Sequence, residues 1–285
     1  MTNFMRALAG EFYLFSRRRS IRVMHAVIFA LACLIVLINY SSISAFAAMN
    51  NMPLSDVASF NFWPQWASAT HITLYLVELS VILLIAGSMP HEIMTASIRD
   101  PLTRRISRSS LVLARAVVAM VIPLSLYACA LLGAAFMSSI LFDAGDILEE
   151  GELLMSIETD GVASALYRSM WHAVLPLLTL GVVAAACGAI FKRGVVAVGA
   201  CLVMVLIPTM LYDNFASIMP YYFADFLPAF GPDSFLDRTA QFAAGYSDAY
   251  PYEYDEVANI GWLSPLPLLC VAIIMTIVSF RRRSL

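Results

Sequence analysis

Six long runs of apolar residues limit what this 285-residue chain can fold into. The hydrocarbon core of a bilayer is ~30 Å thick, which a helix of about 20 apolar residues crosses. A soluble domain must present polar residues to water, and this chain is 61% hydrophobic and only 13% charged. We therefore expect an all-α integral membrane protein, a single transmembrane domain over residues 1–285. The six predicted spans cover about 23–46, 70–90, 110–137, 165–190, 194–212 and 260–280.

The charges of the loops predict the orientation. With six spans, 15 of the 17 basic residues fall on one side of the membrane and 16 of the 20 acidic residues on the other. Cationic residues stay in short cytoplasmic loops, so the basic side is predicted to be cytoplasmic. The chain is then a multi-pass protein of the cell membrane with both termini inside. The total charge of −3 hides this asymmetry and indicates no nucleic-acid partner.

Three segments outside the spans have patterns of their own. Residues 3–16 repeat apolar residues at helical spacing, which predicts an amphipathic helix in the cytoplasmic interface; an unstructured basic tail is the alternative. Residues 143–162 are acidic, but Gly145 breaks the pattern of a calcium loop, so a solvated helical face is expected. Residues 213–258 are aromatic and broken by prolines, which predicts short interfacial or re-entrant helices at the outer leaflet.

Several kinds of chemistry have no motif in the sequence. Lys192 is the only lysine, and no phosphate-binding loop surrounds it, so this chain is not expected to hydrolyse ATP itself. The five cysteines all fall within predicted spans, without the spacing of a disulfide framework or a metal site. We therefore expect no catalytic residue, metal or cofactor in this chain.

Glu78 is a carboxyl group inside the second predicted span. Tyr75 and His71 lie about one and two turns from it on the same face. A carboxyl group at such depth is costly and commonly marks a transport pathway or a binding site. The alternative is a protonated or paired glutamate that joins two helices, with the Tyr75 hydroxyl as one partner. Both interpretations stay open at this point.

The elbow at residues 90–108, between the second and third spans, concentrates charge. Pro90 can open a short helix with Glu92 in its first turn, where a negative charge is favourable. Asp100-Pro101 ends that helix, and Ser107 can cap the third span. The pattern predicts a short cytoplasmic helix with a cationic rim, suited to anionic lipid or to a soluble partner.

This elbow resembles the cytoplasmic signature of type-2 ATP-binding-cassette (ABC) exporter permeases. That signature has a glutamate, a Gly-Thr pair, a leucine run, Pro-Val-Ser-Arg and a Gly-Lys pair. The matching residues here are Glu92, Ala96-Ser97, Leu102, Ile106-Ser107-Arg108 and Ala114-Arg115. Arg105 replaces the proline of the family, and Asp100-Pro101 interrupts its leucine run.

The resemblance implies the membrane-spanning subunit of an ATP-driven exporter, with a short cytoplasmic coupling helix between spans 2 and 3. It implies a second permease subunit, identical or different, surrounding membrane lipid, and cytoplasmic ATPase subunits that carry the ATP and Mg²⁺. The residues implied to couple to the ATPase are Glu92, Arg99, Arg104, Arg105 and Arg108. The implied substrate pathway runs between the second and fifth spans, with His71, Tyr75 and Glu78 on one wall and Met204, Leu211 and Tyr212 on the other.

Three other functions are compatible with the sequence. The chain could serve resistance to, or sensing of, an antimicrobial compound without carrying it across. It could be an intramembrane enzyme acting through His71 and Glu78, or a passive channel. The acidic, aromatic external segment favours a cationic or amphipathic substrate.

Overall fold

The computed structural model describes residues 3–54, 57, 59–88, 90, 107–145, 147–148, 156–157, 159–215, 221–231, 234–243 and 263–282. These residues are almost entirely helical, which confirms the predicted class. The helices are α1 (Asn3–Arg17), α2 (Arg19–Met49), α3 (Phe62–Val81), α4 (Arg108–Leu141), α5 (Thr159–Ile190), α6 (Gly194–Phe215), α7 (Phe235–Ala243) and α8 (Pro265–Arg282). Helix α3 continues into a π-helical turn at Ile82–Ala86, and a 3-10 turn at Phe223–Phe226 precedes α7.

Four of the described helices are long and apolar enough to cross a membrane, which makes this a membrane protein by the length and composition of its helices. The apolar stretches of these four cover Arg19–Met49, Phe62–Ala86, Ser109–Leu141 and Asp160–Ile190. Two shorter apolar helical stretches, Gly194–Ile207 and Pro265–Ser279, coincide with the fifth and sixth predicted spans.

Most of these helices extend beyond the apolar runs that predicted them, and two of their starts are set by capping side chains. The second predicted span begins at Phe62 instead of residue 70. The Asn61 side chain accepts a hydrogen bond from the Trp63 N–H at 3.2 Å, and this N-cap starts the helix early. The predicted Ser107 cap is confirmed, since its hydroxyl accepts from the Ser110 N–H at 3.2 Å.

The prediction of a solvated helical face over residues 143–162 is wrong for most of the residues that the structure describes in this range. Ile147–Leu148 and Ser156–Ile157 form a short antiparallel β pair, with Ile147 opposite Ile157. The next helix begins only at Thr159. Isoleucine favours extended strands, and this local preference outweighs the acidic pattern that suggested a helix.

Helix α4 lies at the centre of the bundle and packs against α1, α2, α3, α5 and α8. The predicted N-terminal helix is present, and it lies on α4 with Ala7 and Glu11 buried. The starts of α2 and α6 and the end of α3 share one end of the bundle, which we call the basic end after Arg18 and Arg115.

The crossing of α4 and α5 depends on a proline and a glycine. Pro123 has no N–H, so the Ala119 carbonyl of α4 receives no hydrogen bond from the residue four positions later. Gly181 of α5 approaches this carbonyl so closely that an added Cβ would overlap its oxygen. Small residues allow such close backbone contact between membrane helices.

We expect Gly181→Ala to destabilise the protein, because the new methyl group must push α4 and α5 apart. Overpacking of this kind costs about 1–3 kcal/mol. Gly199→Ala is the matched control, since a Cβ at this position in α6 meets no atom within 4 Å. Thermal unfolding of the detergent-purified variants, followed by tryptophan fluorescence, measures the difference. Equal unfolding temperatures for the two variants would contradict this account of the crossing.

Candidate functional site

The described part of the segment between α6 and α8 packs into the bundle. Residues 221–231 and 234–243 contain a 3-10 turn and the short helix α7, in agreement with the short helices that the sequence predicts between α6 and α8. The 3-10 turn packs against α5, α6 and α8, while α7 packs against α3 and α5. This re-entrant segment (residues 221–231 and 234–243) therefore contacts both the second apolar helix, α3, and the fifth, α6.

Glu78 holds the re-entrant segment to α3. Its side chain is 0% exposed, and its two carboxyl oxygens accept hydrogen bonds from the backbone N–H groups of Ala229, at 2.8 Å, and Phe230, at 3.3 Å. Glu78 is eight residues before the end of the π-helical turn, so this anchor lies about 12 Å from the basic end at 1.5 Å per residue. The segment thus reaches deep into the bundle.

The loop that presents these N–H groups is tightly folded. The Gly231 N–H donates to the Leu227 carbonyl at 3.1 Å, and the Ser234 hydroxyl donates to the Pro228 carbonyl at 2.8 Å. A Cβ on Gly231 would overlap the Asp225 carbonyl oxygen, so the tightest point of the loop needs a glycine. Successive N–H groups that point to one side form a small anion-binding concavity, and the Glu78 carboxyl group occupies it.

A second anchor joins the re-entrant segment to α6. Pro208 has no N–H, so it supplies no hydrogen bond to the carbonyl of Met204, four residues earlier. The Tyr222 hydroxyl donates to that carbonyl at 2.9 Å. Burial raises the pKa of Tyr222 to about 12, which keeps its hydroxyl protonated as a donor. Met204 is ten residues after Gly194, about 15 Å into the helix, so the two anchors lie at similar depth.

A partly exposed polar cluster lies next to the Glu78 anchor. His71 Nδ1 is 3.4 Å from a carboxylate oxygen of Asp237, whose side chain is 43% exposed. The Gln241 amide donates to the other oxygen at 3.1 Å. Tyr75 packs its ring against His71 and edge-on against Phe230, and it remains 40% exposed. The predicted shared face of His71 and Tyr75 is confirmed, and Asp237 is the acidic group that completes it.

The remaining predicted site residues are placed only in part. Met204 is half-buried and contributes its carbonyl to the second anchor. Leu211 and Tyr212 lie in α6, and Arg108 is the first residue of α4, but their side chains are outside the described part. Glu92, Arg99, Arg104 and Arg105 also lie outside the described residues. The roles inferred for all of these residues stay predictions.

Sequence reasoning missed the donors that Glu78 binds, because they are backbone groups. Every residue except proline carries a backbone N–H, so the side chains of Ala229 and Phe230 do not identify these residues as hydrogen-bond donors to Glu78. In the sequence, Asp237 is only one of several acidic residues in an aromatic segment, and no pattern places it beside His71. Among the described residues, no group of three or more His, Cys, Asp or Glu side chains could hold a metal ion.

We expect Glu78→Ala to loosen the re-entrant segment, because two N–H groups lose their acceptor. A buried donor without a partner costs about 1–3 kcal/mol. Glu78→Gln keeps one acceptor oxygen and should fall between the wild type and the alanine variant. Asp237→Asn removes the partly exposed acidic group beside His71 and leaves the Glu78 hydrogen bonds in place, so it serves as the control.

Limited proteolysis and thermal unfolding of the purified variants measure this effect. Cleavage within residues 221–243 should accelerate in the order wild type, Glu78→Gln, Glu78→Ala, with Asp237→Asn close to the wild type. If the alanine variant is as protected as the wild type, Glu78 does not hold the segment.

Comparison of the sequence with models of known protein families finds no match, and comparison with curated proteins finds no similar sequence. The function is therefore inferred from the geometry described above and from the elbow.

Proposed function

We propose that this chain is the membrane-spanning subunit of an ATP-driven exporter, working as a dimer with separate cytoplasmic ATPase subunits. The observation that carries the proposal is the re-entrant segment, which is anchored both to Glu78 in the second apolar helix and to Met204 in the fifth. Six spans, formed by α2 to α6 and α8, would place both termini in the cytoplasm.

The two anchors suit a pathway that is closed at its outer end. The re-entrant segment contacts α3 and α6 on the side away from the basic end. At the basic end the same two helices meet directly, and a Cβ on Gly194 would lie 3.0 Å from the Gly87 carbonyl oxygen. A shift of the end of α3 would thus act directly on the start of α6.

The proposed dimer is compatible with the exposed apolar surface on these two helices. Ile72 on α3 and Val203 and Met210 on α6 are exposed. Exposed apolar surface on a membrane helix contacts either lipid or another subunit. A second subunit covering these faces would place the pathway at the dimer axis, as the resemblance of the elbow implies.

The coupling route begins at the elbow. Helix α3 leads into it through the π-helical turn at Ile82–Ala86, and α4 leaves it at Ser107. Insertions of this kind in a helix are common at functional sites and provide a place for local rearrangement. An ATPase that rotates the elbow would act first on this turn.

The exposed cluster beside the Glu78 anchor supports a cationic or amphipathic substrate. Asp237 offers a negative charge, and the Tyr75 ring offers an aromatic face that attracts cations. An intramembrane enzyme has less support, because the Glu78 carboxyl group is enclosed and both its oxygens are bound. Resistance or sensing without transport makes the same structural demands, so only uptake into inverted vesicles by the purified complex separates it from export.

The proposed orientation predicts opposite labelling of two loops by a membrane-impermeant maleimide. In a background without the native cysteines, Asp143→Cys should react from outside intact cells, and Arg193→Cys should react only after the membrane is opened. Both positions are exposed on the protein, so access depends on the side of the membrane. Labelling of Arg193→Cys in intact cells would contradict the six-span arrangement.

The docking role of the elbow predicts that Arg104→Glu with Arg105→Glu releases the ATPase. Single exposed ion pairs contribute below about 1 kcal/mol, so one substitution should be tolerated. Reversing two charges sets like charge against the docking surface. The matched control is Lys192→Glu with Arg193→Glu, the same charge change at the turn between α5 and α6.

Co-purification of the ATPase and its substrate-stimulated turnover measure the two variants. The elbow variant should insert and fold but lose the ATPase, while the control should keep it. Retention of the ATPase and normal turnover in the elbow variant would remove the main support for the transporter. Loss in both variants would point to membrane orientation rather than docking.

A further inference from the structure

Cys187 of α5 and Cys201 of α6 face each other in the interior of the bundle. Their thiol groups share a hydrogen bond, and the two residues are only 5% and 0% exposed. They are 14 residues apart, on two helices joined by the turn around Arg193, and no sequence motif pairs them. All five cysteines lie in the described part of the chain, and all five are free thiols.

The pair lies in the half of the bundle near the basic end. Cys187 is three residues before the end of α5 and Cys201 is seven residues after the start of α6, about 5 Å and about 10 Å along their helices. The loop charges predict that this end faces the cytoplasm, where disulfides are commonly transient because cellular thiols reduce them. A bond between these two sulfurs therefore suits reversible chemistry rather than permanent stabilisation.

We propose that Cys187 and Cys201 form a reversible oxidation site, at which a lipid hydroperoxide converts the two thiols into a disulfide between α5 and α6. A disulfide forms only between thiols that approach each other closely, as these two hydrogen-bonded thiols already do. Both residues belong to the apolar core of the bundle. An oxidant dissolved in the bilayer therefore reaches them more readily than a water-soluble oxidant does.

The exposed fractions of the two residues set the order of the steps. Cys187 retains some accessible surface and Cys201 has none, so Cys187 reacts first. Its sulfur attacks the outer peroxide oxygen, the O–O bond breaks, and the lipid alcohol leaves, which gives a sulfenic acid at Cys187. The Cys201 sulfur then attacks the Cys187 sulfur, the S–S bond forms, and water leaves. The hydroperoxide accepts the two electrons, and the two thiol protons leave in the alcohol and the water.

The disulfide would fix the inner half of α6 to α5. Tyr222 lies close to the pair, since burial and then the charge that Cys201 or Cys187 would carry raise the pKa of Tyr222. Its hydroxyl holds the re-entrant segment to the Met204 carbonyl, one turn beyond Cys201. A bond at Cys201 would therefore connect α5, α6 and the second anchor covalently or through one hydrogen bond. The site does not depend on the proposed transport function, so it can be tested on the chain alone.

The test treats the full-length protein in phosphatidylcholine nanodiscs with cumene hydroperoxide, blocks the remaining thiols with N-ethylmaleimide and digests the chain with trypsin. Trypsin cleaves after Lys192 and Arg193, so Cys187 and Cys201 fall on separate peptides that only a disulfide joins. Mass spectra of the oxidised wild type should contain the joined peptides, and dithiothreitol should release them. Cys129→Ser, which removes a half-buried thiol from α4, is the matched control and should give the same joined peptides.

Two single variants test the order of the steps. Cys201→Ser removes the second thiol, so the sulfenic acid at Cys187 should persist and be trapped by dimedone. Cys187→Ser should give no dimedone adduct at Cys201, because this residue is 0% exposed. Each variant is first checked for a single symmetrical elution peak and for the unfolding temperature of the wild type without oxidant.

A reversible disulfide between Cys187 and Cys201, with a dimedone adduct at Cys187 in Cys201→Ser, supports the site. Absence of the joined peptides in the oxidised wild type would overturn it. Equal joining of Cys129 or Cys270 to either cysteine would overturn it as well, because the oxidation would then not depend on the contact between α5 and α6. A dimedone adduct at Cys201 instead of Cys187 would have the same consequence.

Discussion

The enclosed hydrogen bonds between the Glu78 carboxyl group and two successive backbone N–H groups fix the position of the re-entrant segment. Without an acceptor at this depth, the loop around Ala229 would carry buried donors with no partner, which a low-dielectric interior penalises heavily. The described segment contacts both α3 and α6, while α6 packs directly against the π-helical turn near Gly87 and Gly194. The geometry proposed for transport follows from this one anchor.

Prolines inside α4 and α6 each leave a backbone carbonyl without its usual helical hydrogen bond, and the structure compensates for this loss in two ways. Each proline removes the N–H that would bind the carbonyl four residues earlier. At Met204 the Tyr222 hydroxyl supplies the missing donor, and this contact also holds the re-entrant segment. At Ala119 the close approach of Gly181 packs the carbonyl into the α4–α5 crossing instead. Membrane helices tolerate prolines where neighbouring elements compensate in this way.

The two ends of the bundle combine charge and apolar surface differently. At the basic end, the Glu11–Arg115 pair joins α1 to α4 beside a cavity whose remaining wall is largely apolar. At the other end, Asp237 and Tyr75 are partly exposed next to the re-entrant segment. The π-helical turn at Ile82–Ala86 lies on the same helix as Glu78 and lines the cavity, so it connects the two regions.

The sequence by itself determined the helical class, the apolar helices, the Ser107 cap and the shared face of His71 and Tyr75, because each depends on periodicity or on local hydrogen bonding. The pattern of acidic residues misled, since the stretch before α5 contains a short β pair, which isoleucine favours, where the charges suggested a helix. Only the tertiary structure decided what Glu78 binds. Its partners are backbone N–H groups 151 and 152 residues away, and backbone groups carry no residue-specific signal. The same holds for Gly181 and for the pairing of Glu11 with Arg115, where long-range packing selects one partner among many that the sequence allows.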